Sequence, residues 1–388
     1  MMQRLRQHAR RASLLLFFPW LLSIILWVPV FRNEPATILT LLVGLLVAIH
    51  MQRNLFQHLK NNYRGGEEGI LFPTLGAANW ITMLRAGAIV ALAGLLPVAV
   101  HKFQGFSYGL SWAPGIIYLG ISLADLLDGI VARRQGQETE LGKKLDIETD
   151  AAGLMVASLL AVALGRLSVS YLLVGLAYYF FILGIWMRQR RALPVVELQS
   201  RPYARIIAGF QMGLVGVALL PIFNPAFTRI AGLIVMMPLL LGFVRDWLVV
   251  SCRLKTDADQ QSSLDCWAGA ITRKTLPLVF RLAIITGGIN TFVVSTVYQT
   301  HLSWQLAHSF CCLLAGIGFM GRSASLLLVL LLGSNQSPFG ISLATQIFFS
   351  ICVALMVTGS GIMSMWAPEE NILYRCNKNK PRKCSELP

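Results

Sequence analysis

Four aspartates, Asp125, Asp128, Asp146 and Asp150, stand at the ends of two apolar runs that otherwise read as membrane. A carboxylate at the centre of a spanning helix costs roughly 2.5–3.5 kcal/mol on insertion scales, so four would cost on the order of 10 kcal/mol. A chain keeps such groups only where something offsets that cost, and a bound cation does so. The spacing agrees. Asp125 and Asp128 are three residues apart and Asp146 and Asp150 four apart, so each pair shares one face of its helix. The link from Arg134 to Gly142 is long enough to turn the chain back and let the two pairs converge. Carboxylates clustered without His or Cys are hard oxygen ligands, which suit Mg2+ or Mn2+ rather than Zn2+. Two such ions would leave open positions for phosphate oxygens.

The 388 residues are 55% hydrophobic and 13% charged, against about 25% charged in a soluble domain. The expected fold class is all-α, a polytopic membrane helix bundle. The formal charge of +15 does not point to nucleic acid, because the Lys and Arg fall between apolar runs, where they set topology. The seven cysteines form no CxxC pair and read as free thiols, with a pairing or a metal left open for Cys376 and Cys384.

In chain order, Arg4, Arg6, Arg10 and Arg11 precede an apolar run at 13–31 that lacks a small-residue cleavage site and reads as an uncleaved span. A second span is expected at 36–51, followed by a polar interfacial segment at 52–77. Six more are expected at 79–100, 112–134, 142–165, 170–188, 204–221 and 227–251. After a polar linker at 254–274, apolar runs lie at 276–298, 302–332 and 341–365, the middle one broken at Gly321-Arg322. The basic tail (Arg375, Lys378, Lys380, Arg382, Lys383) prefers the cytoplasm, which favours four spans after residue 274. Three segments follow: a two-span extension with its interfacial segment (1–76), a six-span core (77–255) and a multi-span C-terminal extension (275–388). Basic residues gather on one side, at Arg133, Arg134, Lys143, Lys144, Arg188, Arg190, Arg191, Arg201, Arg205, Arg253 and Lys255, so Arg201 and Arg205 read equally as inner-face topology charges. The other side has single cations such as Arg32, Lys102 and Arg166, so the acid cluster is expected to open to the cytoplasm of a bacterial inner membrane.

The full pattern is D-x2-D-G-x2-A-R-x8-G-x3-D-x3-D, filled by Asp125, Asp128, Gly129, Ala132, Arg133, Gly142, Asp146 and Asp150. It resembles the signature of the CDP-alcohol phosphatidyltransferase family. Upstream, Asn79, Thr82 and Arg85 share one face of a helix start and resemble the N-x2-T-x2-R that opens the family core. The resemblance implies a six-helix core, two divalent metals, CDP-diacylglycerol as donor, a small alcohol as acceptor and a homodimer. It makes Asp125, Asp128 and Asp146 metal ligands, and Asp150 both ligand and general base. Gly129, Ala132, Arg133 and Gly142 would hold the cytidine diphosphate, with Asn79 and Thr82 bonded to the nucleotide or to the acid-bearing helix. As bare residues, Gly129 and Ala132 are equally the small contacts by which membrane helices pack, and Asn79 is equally a helix cap. A metal-bound carboxylate is a weak base, so metal activation of the hydroxyl would share that work with Asp150.

The acceptor turns on later arginines. Arg245, Asp246 and Arg253 resemble the R-E-x-L-V-x-x-x-R stretch of phosphatidylglycerophosphate synthases, with Asp in place of Glu. Together with Arg201 and Arg205 they suit a phosphorylated acceptor, glycerol 3-phosphate first. The chain departs from that subgroup before Gln211, where R-P-Y-A-R-I-I-A-G-F stands, so inositol phosphate, inositol and serine stay open. The expected activity is transfer of the phosphatidyl group with release of CMP. From other classes, a cation transporter would spread acids through the bilayer depth, and an inactive scaffold would not keep them intact. Near the C-terminus, W-A-P-E-E resembles the end of DoxX-type membrane domains.

Overall fold

The structure is a computed structural model that describes residues 2–31, 34–64, 71–101, 108–135, 139–196, 202–254, 275–297, 301–361 and 363–368. Thirteen α-helices are seen among them: α1 (Met2–Trp27), α2 (Pro35–His58), α3 (Ala77–Ala93), α4 (Leu96–Val100), α5 (Tyr108–Gln135), α6 (Glu140–Ala163), α7 (Leu172–Arg190), α8 (Pro202–Ala218), α9 (Pro225–Val250), α10 (Leu276–Val297), α11 (Leu302–Ile317), α12 (Gly321–Gly333) and α13 (Leu343–Thr358). The described residues hold no strand beyond isolated bridges, so the protein is an all-α membrane bundle. Five segments are long and apolar enough to cross a bilayer: Met2–Trp27, Pro35–Asn61, Ala77–Val100, Val169–Arg190 and Pro225–Val250. The acid-bearing α5 and α6 have 28 and 24 residues, about 36–42 Å of helix, which also suffices. Large apolar side chains such as Leu14, Phe18, Ile25, Leu39 and Leu46 are mostly exposed, as lipid-facing residues are.

The chain forms two compact units. The first comprises Met1–Tyr178 with Val215–Pro221. Its axis is α3, the most buried of the spanning segments, with α1, α2, α5 and α6 packed around it. Small residues permit that position. A Cβ on Gly87 would lie 2.5 Å from the Leu15 carbonyl oxygen of α1, and one on Gly94 would lie 1.9 Å from Ser23 Oγ. The two glycines are seven residues apart, about two turns, and so form one seam along which α1 can approach the α3 backbone. Ser13 and Ser23 donate to their own helix at Ala9 O (2.9 Å) and Pro19 O (2.8 Å), leaving no buried hydroxyl unsatisfied at that seam.

The second unit comprises Tyr179–Leu214 and Ile222–Pro388. Phe227, Val235, Ile284, Leu328, Phe349 and Val353 centre its apolar core. The long run at 302–332 is two helices, because the backbone turns left-handed at Gly318 (φ 76°) and Met320 (φ 47°). A side chain at 318 would also meet Arg281 Cζ at 2.8 Å. Two buried arginines cap helix ends beside this break. Arg281 donates to Gly316 O (2.9 Å) and Met363 O (3.0 Å). Arg322 donates to Met356 O and Val357 O, both at 3.1 Å. A cation at a helix C-terminus meets the negative end of the helix dipole and its unbonded carbonyls. Among the described residues four helices follow residue 274, although α11, α12 and α13 are shorter than a regular span of about 20 residues. Cys252, Cys311, Cys312 and Cys352 are free thiols; Cys266, Cys376, Cys384 and the two glutamates of W-A-P-E-E lie outside the described residues.

Candidate metal and phosphate centre

The site is built where α3, α5 and α6 meet. Helix α6 begins at Thr139, whose side chain accepts from Gly142 N at 3.0 Å and caps the helix. Asn79, near the start of α3, packs on this cap: a Cβ on Gly142 would lie 2.7 Å from Asn79 Oδ1. Gly142 therefore lets the starts of α3 and α6 touch, which places Arg85, two turns further along α3, beside the acid faces of α5 and α6.

Arg85 is 2% exposed and its guanidinium is the hub of the cluster. Its Nη2 lies 2.8 Å from Asp125 Oδ1, and its Nη1 lies 2.7 Å from Asp128 Oδ2 and 2.8 Å from Asp146 Oδ1. It also pairs with Asp150. Thr82 Oγ1 is 3.1 Å from Asp128 Oδ2 and 3.1 Å from the Ala78 carbonyl. Asp128 is buried, while Asp125, Asp146 and Asp150 keep partial access to solvent. One oxygen each from Asp125, Asp128 and Asp146 lies within 4.8 Å of the others. Asp150 reaches Arg85 but stands outside that trio.

The donor set fits a hard divalent cation. One guanidinium faces four carboxylates, so ionised acids outnumber it and the surplus is negative. The converging atoms are all oxygen, the ligand type of Mg2+ and Mn2+. No cation identity follows from them. Arg85 Nε is buried and has no hydrogen-bond partner among the described residues, which leaves a donor for an additional oxygen.

The remaining sequence candidates divide as follows. Gly129 lies on α5 next to Asp128 and is partly buried. Ala132 and Arg133 belong to the helical backbone of α5, with side chains outside the described residues. Arg201 lies outside them too, and so does the side chain of Arg205 on α8. Arg245, on α9, is partly buried and belongs to the second compact unit. The hub role of Arg85 was not evident from sequence, which showed only that Arg85 shares a face with Asn79 and Thr82.

Comparison with known proteins agrees with this geometry. Residues 75–244 match the family model described as CDP-alcohol phosphatidyltransferase. A curated relative, the phosphatidylinositol phosphate synthase of Mycolicibacterium smegmatis, is 38% identical over 73 residues, which cover 18% of this chain and 33% of that protein. The chain thus spans about a third of the length of the curated relative it matches. No solved structure matches. The segment that holds all four aspartates and Arg85 thus matches the CDP-alcohol phosphatidyltransferase family model, within a longer membrane protein.

Proposed function

We propose that the protein transfers a phosphatidyl group from CDP-diacylglycerol to a small alcohol and releases CMP. The observation that carries this reading is the convergence of Asp125, Asp128, Asp146 and Asp150 on one point of the family-matching segment. A transporter would distribute such acids along a path, and here they meet a single guanidinium.

Asp125, Asp128 and Asp146 would hold Mg2+ or Mn2+, with Asp150 completing the set. The bound metal would neutralise the diphosphate and stabilise the leaving phosphate. The acceptor hydroxyl oxygen attacks the phosphorus that bears the diacylglycerol, and the bond from that phosphorus to the CMP oxygen breaks. The hydroxyl proton passes to Asp150, the least committed of the four acids to the trio. Arg85, which holds the acids together, offers its free Nε–H to a phosphate oxygen. Gly129, Ala132 and Arg133, on the turn after Asp128, would receive the cytidine diphosphate. Asn79 and Gly142 act through the start of α6, and Thr82 through Asp128.

The acceptor is a phosphorylated alcohol, glycerol 3-phosphate in the first reading, held by Arg201, Arg205 and Arg245. Inositol phosphate is the second reading, favoured by the similarity to the mycobacterial phosphatidylinositol phosphate synthase. The protein would act as a homodimer in a bacterial inner membrane with the acids facing the cytoplasm. Residues 77–255 would form the catalytic core, and 1–76 and 275–388 its added spans. Purified protein given CDP-diacylglycerol, Mg2+ and each of glycerol 3-phosphate, inositol 1-phosphate, inositol and serine should release CMP with one acceptor preferred. Absence of CMP release with every acceptor removes the transferase reading.

A further inference from the structure

The acid face of α6 has a polar counterpart on the opposite side of the helix. At about 3.6 residues per turn, Glu148 points roughly 180° away from the mean direction of Asp146 and Asp150. There Glu148 Oε2 lies 3.0 Å from His50 Nε2 of α2, and the Tyr178 hydroxyl of α7 donates to Oε1 at 2.7 Å. Asn54, one turn further along α2, places its Nδ2 3.1 Å from the same His50 nitrogen. The extension also reaches the start of α6. Glu140 N donates to Tyr63 O at 3.1 Å, and Arg64 forms an isolated antiparallel bridge with Thr139.

Insertion into a membrane does not require these groups, since apolar residues at 50 and 148 would enter more readily. Their placement accomplishes something else. With side chains included, a helix is about 10–12 Å across, so turning it by roughly 20° moves a carboxylate by about 2 Å. A functional constellation tolerates only about 0.5 Å. Apolar packing alone resists such rotation weakly, because neighbouring side chains re-pack. A rear carboxylate held from two other helices resists it directionally.

We propose that His50 of the N-terminal extension and Tyr178 of α7 are positioning residues for the acid face. By holding Glu148 they fix the rotation of α6, and with it the convergence of Asp146 and Asp150 on Asp125 and Asp128. The inference rests on the reading of that cluster as a divalent-metal centre, and its test reads metal binding rather than turnover.

Mn2+ affinity of the full-length protein in lipid nanodiscs is measured by electron paramagnetic resonance for wild type, His50→Leu, Glu148→Leu, Glu148→Gln and Tyr178→Phe. The leucine variants should bind Mn2+ about tenfold more weakly, the usual loss when the groups orienting metal ligands are removed. Glu148→Gln keeps an acceptor for Tyr178 and a polar partner for His50, so it should stay within about twofold of wild type. If the leucine variants fail to insert, Tyr178→Phe, which removes one oxygen, carries the test and should weaken Mn2+ binding about threefold. A wild type that binds no Mn2+ overturns the metal reading itself. A wild type that binds, with Glu148→Leu (or Tyr178→Phe in its place) binding equally tightly, overturns the positioning role and leaves the metal reading intact. A Glu148→Gln variant as weak as Glu148→Leu also overturns it, since charge rather than placement would then matter.

Discussion

Asp128 is the most buried of the four acids and is bonded to both Arg85 and Thr82. Asp128→Ala should abolish CMP release while the protein still inserts and elutes as wild type, measured by turnover beside size-exclusion profiles. Arg85 is the converse case. Arg85→Gln removes the buried cation that offsets carboxylate repulsion, a change that costs about 3–5 kcal/mol for a fully buried pair and less here, where three acids keep solvent access. Thermal unfolding should show a lower Tm without metal and a larger Mg2+-induced rise than in wild type, because the guanidinium no longer competes for the acids. An Mg2+ response equal to that of wild type would contradict the competition. The acids were legible in the sequence because their gaps of three and four residues put each pair on one face. The role of Arg85 was not, because its partners Asp128, Asp146 and Asp150 come 43, 61 and 65 residues later. Only tertiary packing brings them together.

Among the elements, α3 decides the site, since Asn79, Thr82 and Arg85 all stand on it and its small residues let α1 lie against it. Gly87→Leu would force the α1 backbone outward from a contact already at van der Waals limit. It should lower Tm by an amount corresponding to about 1–3 kcal/mol, as overpacking does, measured by thermal unfolding in detergent. Hydropathy located these helices but not their ends. Helix α1 starts at Met2, well before the apolar run at 13, because Arg and Gln are good helix formers that continue the backbone beyond the membrane. The expected span at 79–100 is α3 and α4 with a break at Gly94-Leu95. The division of the run at 302–332 was visible only as a Gly-Arg pair, and the left-handed Gly318 and Met320 that cause it carry no periodic signal.

At the scale of the molecule, the all-α membrane class was legible from apolar length and low charge, which need no tertiary information. How the spans group was not. The two compact units divide inside α7 and cut across the family-matching segment, because span order does not say which helices pack. The acceptor also belongs to this scale, since the candidate arginines stand late in the chain, at 201, 205 and 245, far from the aspartates in sequence. Arg205→Ala should raise the KM for a phosphorylated acceptor about tenfold, the loss of one charge-assisted contact, and leave the KM for CDP-diacylglycerol unchanged. Equal acceptor KM values would make Arg205 a topology charge. If carboxylates of α5 and α6 gather divalent ions where they meet a cytidine-linked diphosphate, anomalous diffraction from crystals grown with Mn2+ and CDP-diacylglycerol will locate both. An Mn2+ peak is expected among Asp125, Asp128 and Asp146, with the diphosphate against it and Arg85 drawn away from at least one acid. Donor bound elsewhere, with no peak at the trio and Arg85 still bridging all four carboxylates, would contradict it.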